Sequence, residues 1–194
     1  VGLRDILTGR HEVKGPAPDH MFAITTAYVT LEAEHQISPA GKAAIVFQAL
    51  ATSEFETTLK EMEAIVTATG GDSGTGVTTQ DDSYGYRWMV LANPAGAPSI
   101  EDLAVGINAV SGSIETAGYG ARLLCAVFAF TDAKGAPIYF IYNYKRGYWY
   151  PFVPAPGEQQ RSTERELQIK AQMSGELPIE PELERWFPLW GIPI

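Results

Sequence analysis

The chain has 194 residues, of which 45% are hydrophobic, and a formal net charge of −9. That is the size of one ordinary domain with enough apolar content for a core, which argues against a disordered chain. An acidic surface repels phosphate backbones and anionic lipid, so general nucleic-acid binding is disfavoured and any membrane contact is at most peripheral.

In chain order, Leu3, Ile6 and Leu7 recur at helical spacing and predict a short amphipathic helix over residues 2–9, stopped by Gly9. Pro16 and Pro18 mark a linker. Ile24, Ala27, Tyr28 and Leu31 follow an i, i+3, i+4, i+7 pattern and favour a helix, although Val29-Thr30-Leu31 also reads as strand. Ser38-Pro39-Ala40-Gly41 reads as a turn, and residues 43–47 as a compact buried strand. Phe55, Leu59, Met62, Ile65 and Val66 mark the clearest helix, with Ser53 and Glu56 spaced as a capping box and Gly70-Gly71 as its stop.

Residues 77–80 and 86–91 then read as a hairpin around Asp81-Asp82-Ser83-Tyr84-Gly85. Ser99, with Asp102 three residues on, caps a helix striped by Leu103, Ile107, Val110 and Ile114. Residues 123–130 and 138–144 form a second hairpin turning at Asp132-Ala133-Lys134-Gly135, and residues 148–152 extend that sheet. Residues 164–172 read as a charged helix. Pro178 and Pro181 frame a last short helix that runs into Trp186-Phe187-Pro188-Leu189-Trp190. The expected architecture is a single α+β domain over residues 1–194: an antiparallel sheet with helices packed on one face, ending in an aromatic tail from about residue 178.

The motifs that suggest catalysis are weak. Gly71-Asp72-Ser73-Gly74 matches the tetrapeptide around the nucleophile of trypsin-like proteases. Yet the histidines, His11, His20 and His35, all lie near the N-terminus, and the tetrapeptide follows a helix in a glycine-rich loop. Gly74-Thr75-Gly76 and Gly118-Tyr119-Gly120 follow helices and precede strands, the reverse of a phosphate-binding turn. There is no Cys-x-x-Cys and no histidine pair at i, i+4, so neither a metal nor another cofactor is expected. Asp81-Asp82 sits at a hairpin tip, and Glu61 and Glu63 do not face each other on a helix. The lone Cys125 excludes an internal disulfide and reads as a buried small hydrophobe, which fits a reducing compartment. No run approaches the length of a membrane span, and Val1-Gly2-Leu3-Arg4-Asp5 is not the start of an apolar signal core. These features point to a cytoplasmic location.

The densest chemistry lies in residues 139–152, where eight tyrosine, phenylalanine and tryptophan side chains surround Lys145-Arg146-Gly147. Alternation sends Tyr142 and Tyr144 to one face and Ile141 and Asn143 to the other. This stretch is either an aromatic core hairpin or a binding surface. The tail Arg185-Trp186-Phe187-Pro188-Leu189-Trp190 must also be covered, by its own core or by a partner. Tryptophan, tyrosine and arginine dominate interface energetics, so the candidate partner-binding residues are Tyr144, Lys145, Arg146, Tyr148, Trp149, Trp186 and Trp190. An alternative function is a small-molecule-binding or enzymatic domain with a deep pocket around Asp82, Tyr86, Arg87 and Tyr144. A third is direct membrane association through Leu3, Ile6 and Leu7.

Gly2-Leu3-Arg4-Asp5-Ile6-Leu7, Ala27-Tyr28-Val29-Thr30-Leu31-Glu32, Asp82-Ser83-Tyr84-Gly85-Tyr86-Arg87-Trp88, Tyr144-Lys145-Arg146-Gly147, Trp149-Tyr150-Pro151-Phe152 and Arg185-Trp186-Phe187-Pro188-Leu189-Trp190-Gly191 together resemble the PspAB family of phage-shock-protein-A-associated proteins. The C-terminal aromatic motif is the most specific of these. The resemblance implies a non-enzymatic cytoplasmic adaptor or regulator of prokaryotic envelope stress. Its partner would be PspA, a coiled-coil membrane-remodelling protein, or an HtpX-type membrane protease. The resemblance carries over no catalytic residue. A sheet with helices on one face, as in type III secretion chaperone-like domains, would offer a groove for an amphipathic helix of such a partner.

Overall fold

The computed structural model describes residues 18–69 and 74–194. The N-terminal helix expected over residues 2–9 and the Gly70-Gly71 stop lie outside the described residues, as does most of the Gly71-Asp72-Ser73-Gly74 tetrapeptide. The elements in chain order are α1 (Pro18–Phe22), α2 (Ile24–His35), β1 (Ser38–Gln48), α3 (Ser53–Thr69), β2 (Gly76–Asp81), β3 (Tyr86–Ala92), α4 (Ile100–Thr116), β4 (Leu123–Thr131), β5 (Pro137–Asn143), β6 (Tyr148–Phe152) and α5 (Thr163–Gln172). Short 3₁₀ turns fall at Gly120–Arg122 and Leu183–Arg185.

The six strands form one antiparallel sheet in the order β2-β3-β1-β4-β5-β6. Alternation, interrupted at two irregularities of the β1–β4 pairing, sorts its side chains onto two faces. Ile45, Phe47, Met89, Leu91, Phe128, Phe130, Phe140, Tyr142 and Trp149 point to the face covered by helices. There they meet Ile24, Ala27 and Leu31 of α2, Phe55, Leu59 and Met62 of α3, and Leu103, Ile107 and Val110 of α4. Val46, Trp88, Val90, Cys125, Val127, Ile141, Tyr150 and Phe152 point to the opposite face, against which no α-helix of the described residues packs. The C-terminal segment with Ile179, Trp186, Leu189, Trp190, Ile192 and Ile194 packs there. The α+β fold with helices on one face is therefore as expected.

Several local expectations change. Ser38-Pro39-Ala40-Gly41 does not turn the chain; it is the start of β1, paired only with β4. A shift in pairing between Pro39 and Ala43, with Gly41 at φ +70°, absorbs the irregularity. Proline is tolerated there because β3 does not reach that end of the strand. Thr52, rather than Ser53, caps α3: its Oγ1 accepts from the Phe55 amide at 3.3 Å. That releases Glu56 from a capping box to bind Arg87. Ser99 caps α4 as its spacing suggests, accepting from the Asp102 amide at 3.1 Å. Pro178 and Pro181 frame no helix. Residues 178–180 run extended beside β6, where the Trp149 amide donates to the Pro178 carbonyl and the Glu180 amide to the Trp149 carbonyl. The 3₁₀ turn follows after the second proline.

Candidate functional site

The sheet face without helices positions the site. After α5 the chain returns along β6 and crosses this face as a strap. Its root is fixed by two ionic latches. Arg146, in the β5–β6 turn, donates to both carboxylate oxygens of Glu180 at 2.9 and 3.1 Å and to Glu182 at 3.1 Å. Glu180 is only 2% exposed, and the Arg146 guanidinium holds its carboxyl below the usual range. Arg161 pairs with the buried Glu166 at 2.7 Å and also donates to the Trp186 carbonyl at 2.7 Å. The Glu166 carboxylate additionally accepts the Val153 amide. The Trp186 ring stacks on Tyr150, and its Nε1 donates to the Glu180 carbonyl at 3.0 Å.

Beyond Trp186 the strap is held more lightly. Tyr150 Oη donates to the Phe187 carbonyl, Trp190 sets its edge against Phe152, and Tyr139 Oη donates to the main-chain oxygen of Ile194.

Between this part of the strap and the β2–β3 hairpin lies a groove of about 540 Å³. Val46, Trp88, Leu124, Cys125 and Tyr150 form its floor. Phe187, Pro188, Leu189 and Trp190 form one wall, with Asp82, Tyr84 and Tyr86 facing them and Asn143 and Lys145 at one end. Local geometry presents these rims. Asp82 Oδ1 accepts from the Tyr84 and Tyr86 amides at 2.8 and 2.9 Å, and its Oδ2 accepts from Trp88 Nε1 at 2.9 Å. Gly85 at φ +85° completes the tight turn. The same device recurs at Asp132, which accepts from the Lys134 and Ala136 amides. It recurs again at Asn143, which accepts from the Lys145 and Arg146 amides.

The groove is an apolar surface with aromatic lips. Tyr84, Tyr86 and Phe187 are 60%, 38% and 58% exposed, and all three line it. Asp82 spends its carboxylate oxygens on three local N–H groups. Lys145 forms no ion pair among the described residues and is the cation at the mouth. Burial pushes the Cys125 thiol up to about 12, so at neutral pH it is protonated and a poor nucleophile. Among the described residues no group of three His, Cys, Asp or Glu side chains is placed to hold a metal.

The structure separates the seven candidate residues. Tyr144 and Trp149 lie in the core on the helix face. Trp149 is fully buried with Nε1 donating to the His20 carbonyl at 2.6 Å, and burial raises the Tyr144 hydroxyl well above its ordinary range. Trp186 is a buried anchor of the strap against the sheet and Arg146 is engaged by Glu180. Lys145 and Trp190 meet at the groove, and Tyr148 lies beside Arg146 at the turn. The four residues suggested for a small-molecule pocket are also divided. Asp82 and Tyr86 line the groove, while Arg87 points to the other face and pairs with Asp81 and Glu56 at 2.6 Å. Tyr144 lines a separate cavity of about 190 Å³ with Met21 and Ser111. Sequence reasoning missed Tyr84, Leu124, Phe187 and Leu189 as site residues. Phe187 and Leu189 lay within the aromatic tail, and the aromatics flanking Gly85 signalled Tyr84, because a side chain at a hairpin tip cannot be buried by its own strands.

The family model for PspAB, PspA associated protein B, matches residues 1–194. The chain belongs to the PspAB family. Membership covers every segment of the resemblance, including the hairpin tip and the strap that form the two lips of the groove. It links the chain to PspA. No curated protein and no solved structure matches the chain. Among the described residues no helix is long and apolar enough to cross a membrane.

Proposed function

We propose that this PspAB protein is a non-enzymatic cytoplasmic adaptor of the envelope-stress response that binds PspA directly. The observation that carries the reading is the gathering of exposed aromatics at one mouth. Tyr84, Tyr86 and Phe187 stand around the groove, with Trp190 half-buried behind Phe187 and Lys145 at the end. Exposed aromatics clustered around a rigid depression are what a partner buries to gain binding energy. The strap latches supply the rigidity that keeps the ordering cost of binding low. Tyr144, Arg146, Tyr148, Trp149 and Trp186 contribute from beneath or beside this surface by holding the turn and strap in place.

Affinity capture with tagged full-length protein in its native host, read by mass spectrometry, tests the reading. PspA should be enriched with the wild type and lost with a folded Tyr84→Ala/Phe187→Ala variant. An eluate containing an HtpX-type protease but no PspA transfers the adaptor role to that partner. An eluate with neither rejects the proposal.

A further inference from the structure

The interior of the groove calls for a different occupant from its rim. The volume falls within the range of roughly 300–1,000 Å³ typical of small-molecule sites. Its floor is apolar: Val46, Trp88, Cys125 and Tyr150 are packed tightly among their neighbours, and Leu124 is the more open position between them. The polar groups are unevenly placed. Asp82 keeps its negative charge but turns its oxygens to three N–H donors of its own hairpin, whereas Lys145, beside Asn143, is the lining cation and forms no ion pair among the described residues. The site is therefore apolar along its length and cationic at one end.

We propose that the groove binds one free anionic single-chain amphiphile. Its apolar chain would lie over Val46, Leu124, Cys125 and Tyr150, with its carboxylate or phosphate head against Lys145. Charge complementarity selects an anion over a cation of equal chain length, and the apolar floor selects a chain over a polar metabolite. The hairpin tip, the β5–β6 turn and the strap enclose the groove on three sides, which favours a monomeric ligand over a chain still resident in a bilayer. The proposal shares the groove and Lys145 with the adaptor reading but concerns the floor rather than the aromatic lips, and its test contains no PspA, so either can fail without the other.

The test titrates the full chain with dodecanoate below its micelle-forming concentration, by calorimetry and tryptophan fluorescence. One saturable site is expected, with dodecyltrimethylammonium at least about tenfold weaker. Lys145→Glu should abolish that preference. Leu124→Trp, which fills the half-exposed floor position, should remove binding of both. An ω-brominated dodecanoate should quench emission from Trp88 and Trp190, with less quenching in Trp190→Phe; this readout holds even if Leu124→Trp fails to fold. The proposal is overturned by non-saturable binding, by equal affinity for the two head groups, or by binding that survives in a folded Leu124→Trp. Binding to anionic phosphatidylglycerol vesicles without binding of dodecanoate overturns it as well.

Discussion

At the scale of single residues, two glycines of α4 behave as opposites. A Cβ on Gly106 would run into the Leu91 side chain, because α4 packs on β3 at that point. A Cβ on Gly112 meets nothing within 4 Å. Replacing glycine by alanine within a helix stabilises by about 0.5–1 kcal/mol when there is room. Overpacking a filled core costs about 1–3 kcal/mol. Urea unfolding should therefore show Gly112→Ala more stable than the parent and Gly106→Ala less stable; equal stabilisation by both would refute close helix–sheet contact. Trp149 makes a larger case. It is fully buried, its ring lies against Phe128 and Tyr142, and its N–H holds α1 through His20. Trp149→Ala should cost about 3–5 kcal/mol. A loss below about 1 kcal/mol in the same assay would contradict its core placement.

At the scale of elements, the strap is where acid should act. Glu180 titrates below the usual range in the folded chain because Arg146 hydrogen-bonds its carboxylate. Its folded pKa is depressed, so its contribution is complete above the unfolded glutamate value of about 4.3 and is lost as pH falls through the lower folded value. Acidification should release the strap root and expose Trp186, seen as a red shift in the difference spectrum against Trp186→Phe. Glu180→Gln should show a looser strap at neutral pH and a flattened acid transition. An unchanged transition in that variant would remove Glu180 from the latch. The strap also marks the limit of what sequence could disclose. Strand alternation and helical stripes were legible because periodicity is local: Tyr142 and Tyr144 fall on one face and Ile141 and Asn143 on the other, as their order dictates. The cap at Thr52 was missed by one residue because Ser53 is an equally good capping type. Ser38-Pro39-Ala40-Gly41 resembled a turn because proline and glycine also serve at a strand irregularity. The return of residues 178–194 across the sheet depends on partners 34 residues apart, Arg146 and Glu180, and no periodicity announces such a pairing.

At the scale of the whole molecule, helices close one face of the sheet, and on the other the C-terminal segment is the covering layer among the described residues and leaves a groove open. The remaining groove exists because the strap and the β2–β3 hairpin approach from opposite sides without meeting. Dense aromatics stood out in the sequence, but their division between core and surface was not visible there. Tyr144, Trp149 and Trp186 build the scaffold, whereas Tyr84, Tyr86 and Phe187 face outward. Composition cannot distinguish these roles, since the same ring is a core residue or a contact residue according to which side of a strand it leaves. In the proposed reading, binding belongs to the lips of the groove and stability to the residues beneath them.

The most direct test of that claim is a calorimetric titration of the purified full-length protein with purified PspA. The wild type should bind saturably, and Tyr84→Ala and Phe187→Ala should each weaken binding by at least about tenfold, with unfolding midpoints within about 0.5 kcal/mol of the parent. Absence of binding by the wild type, or unchanged affinity in both folded variants, would contradict the account.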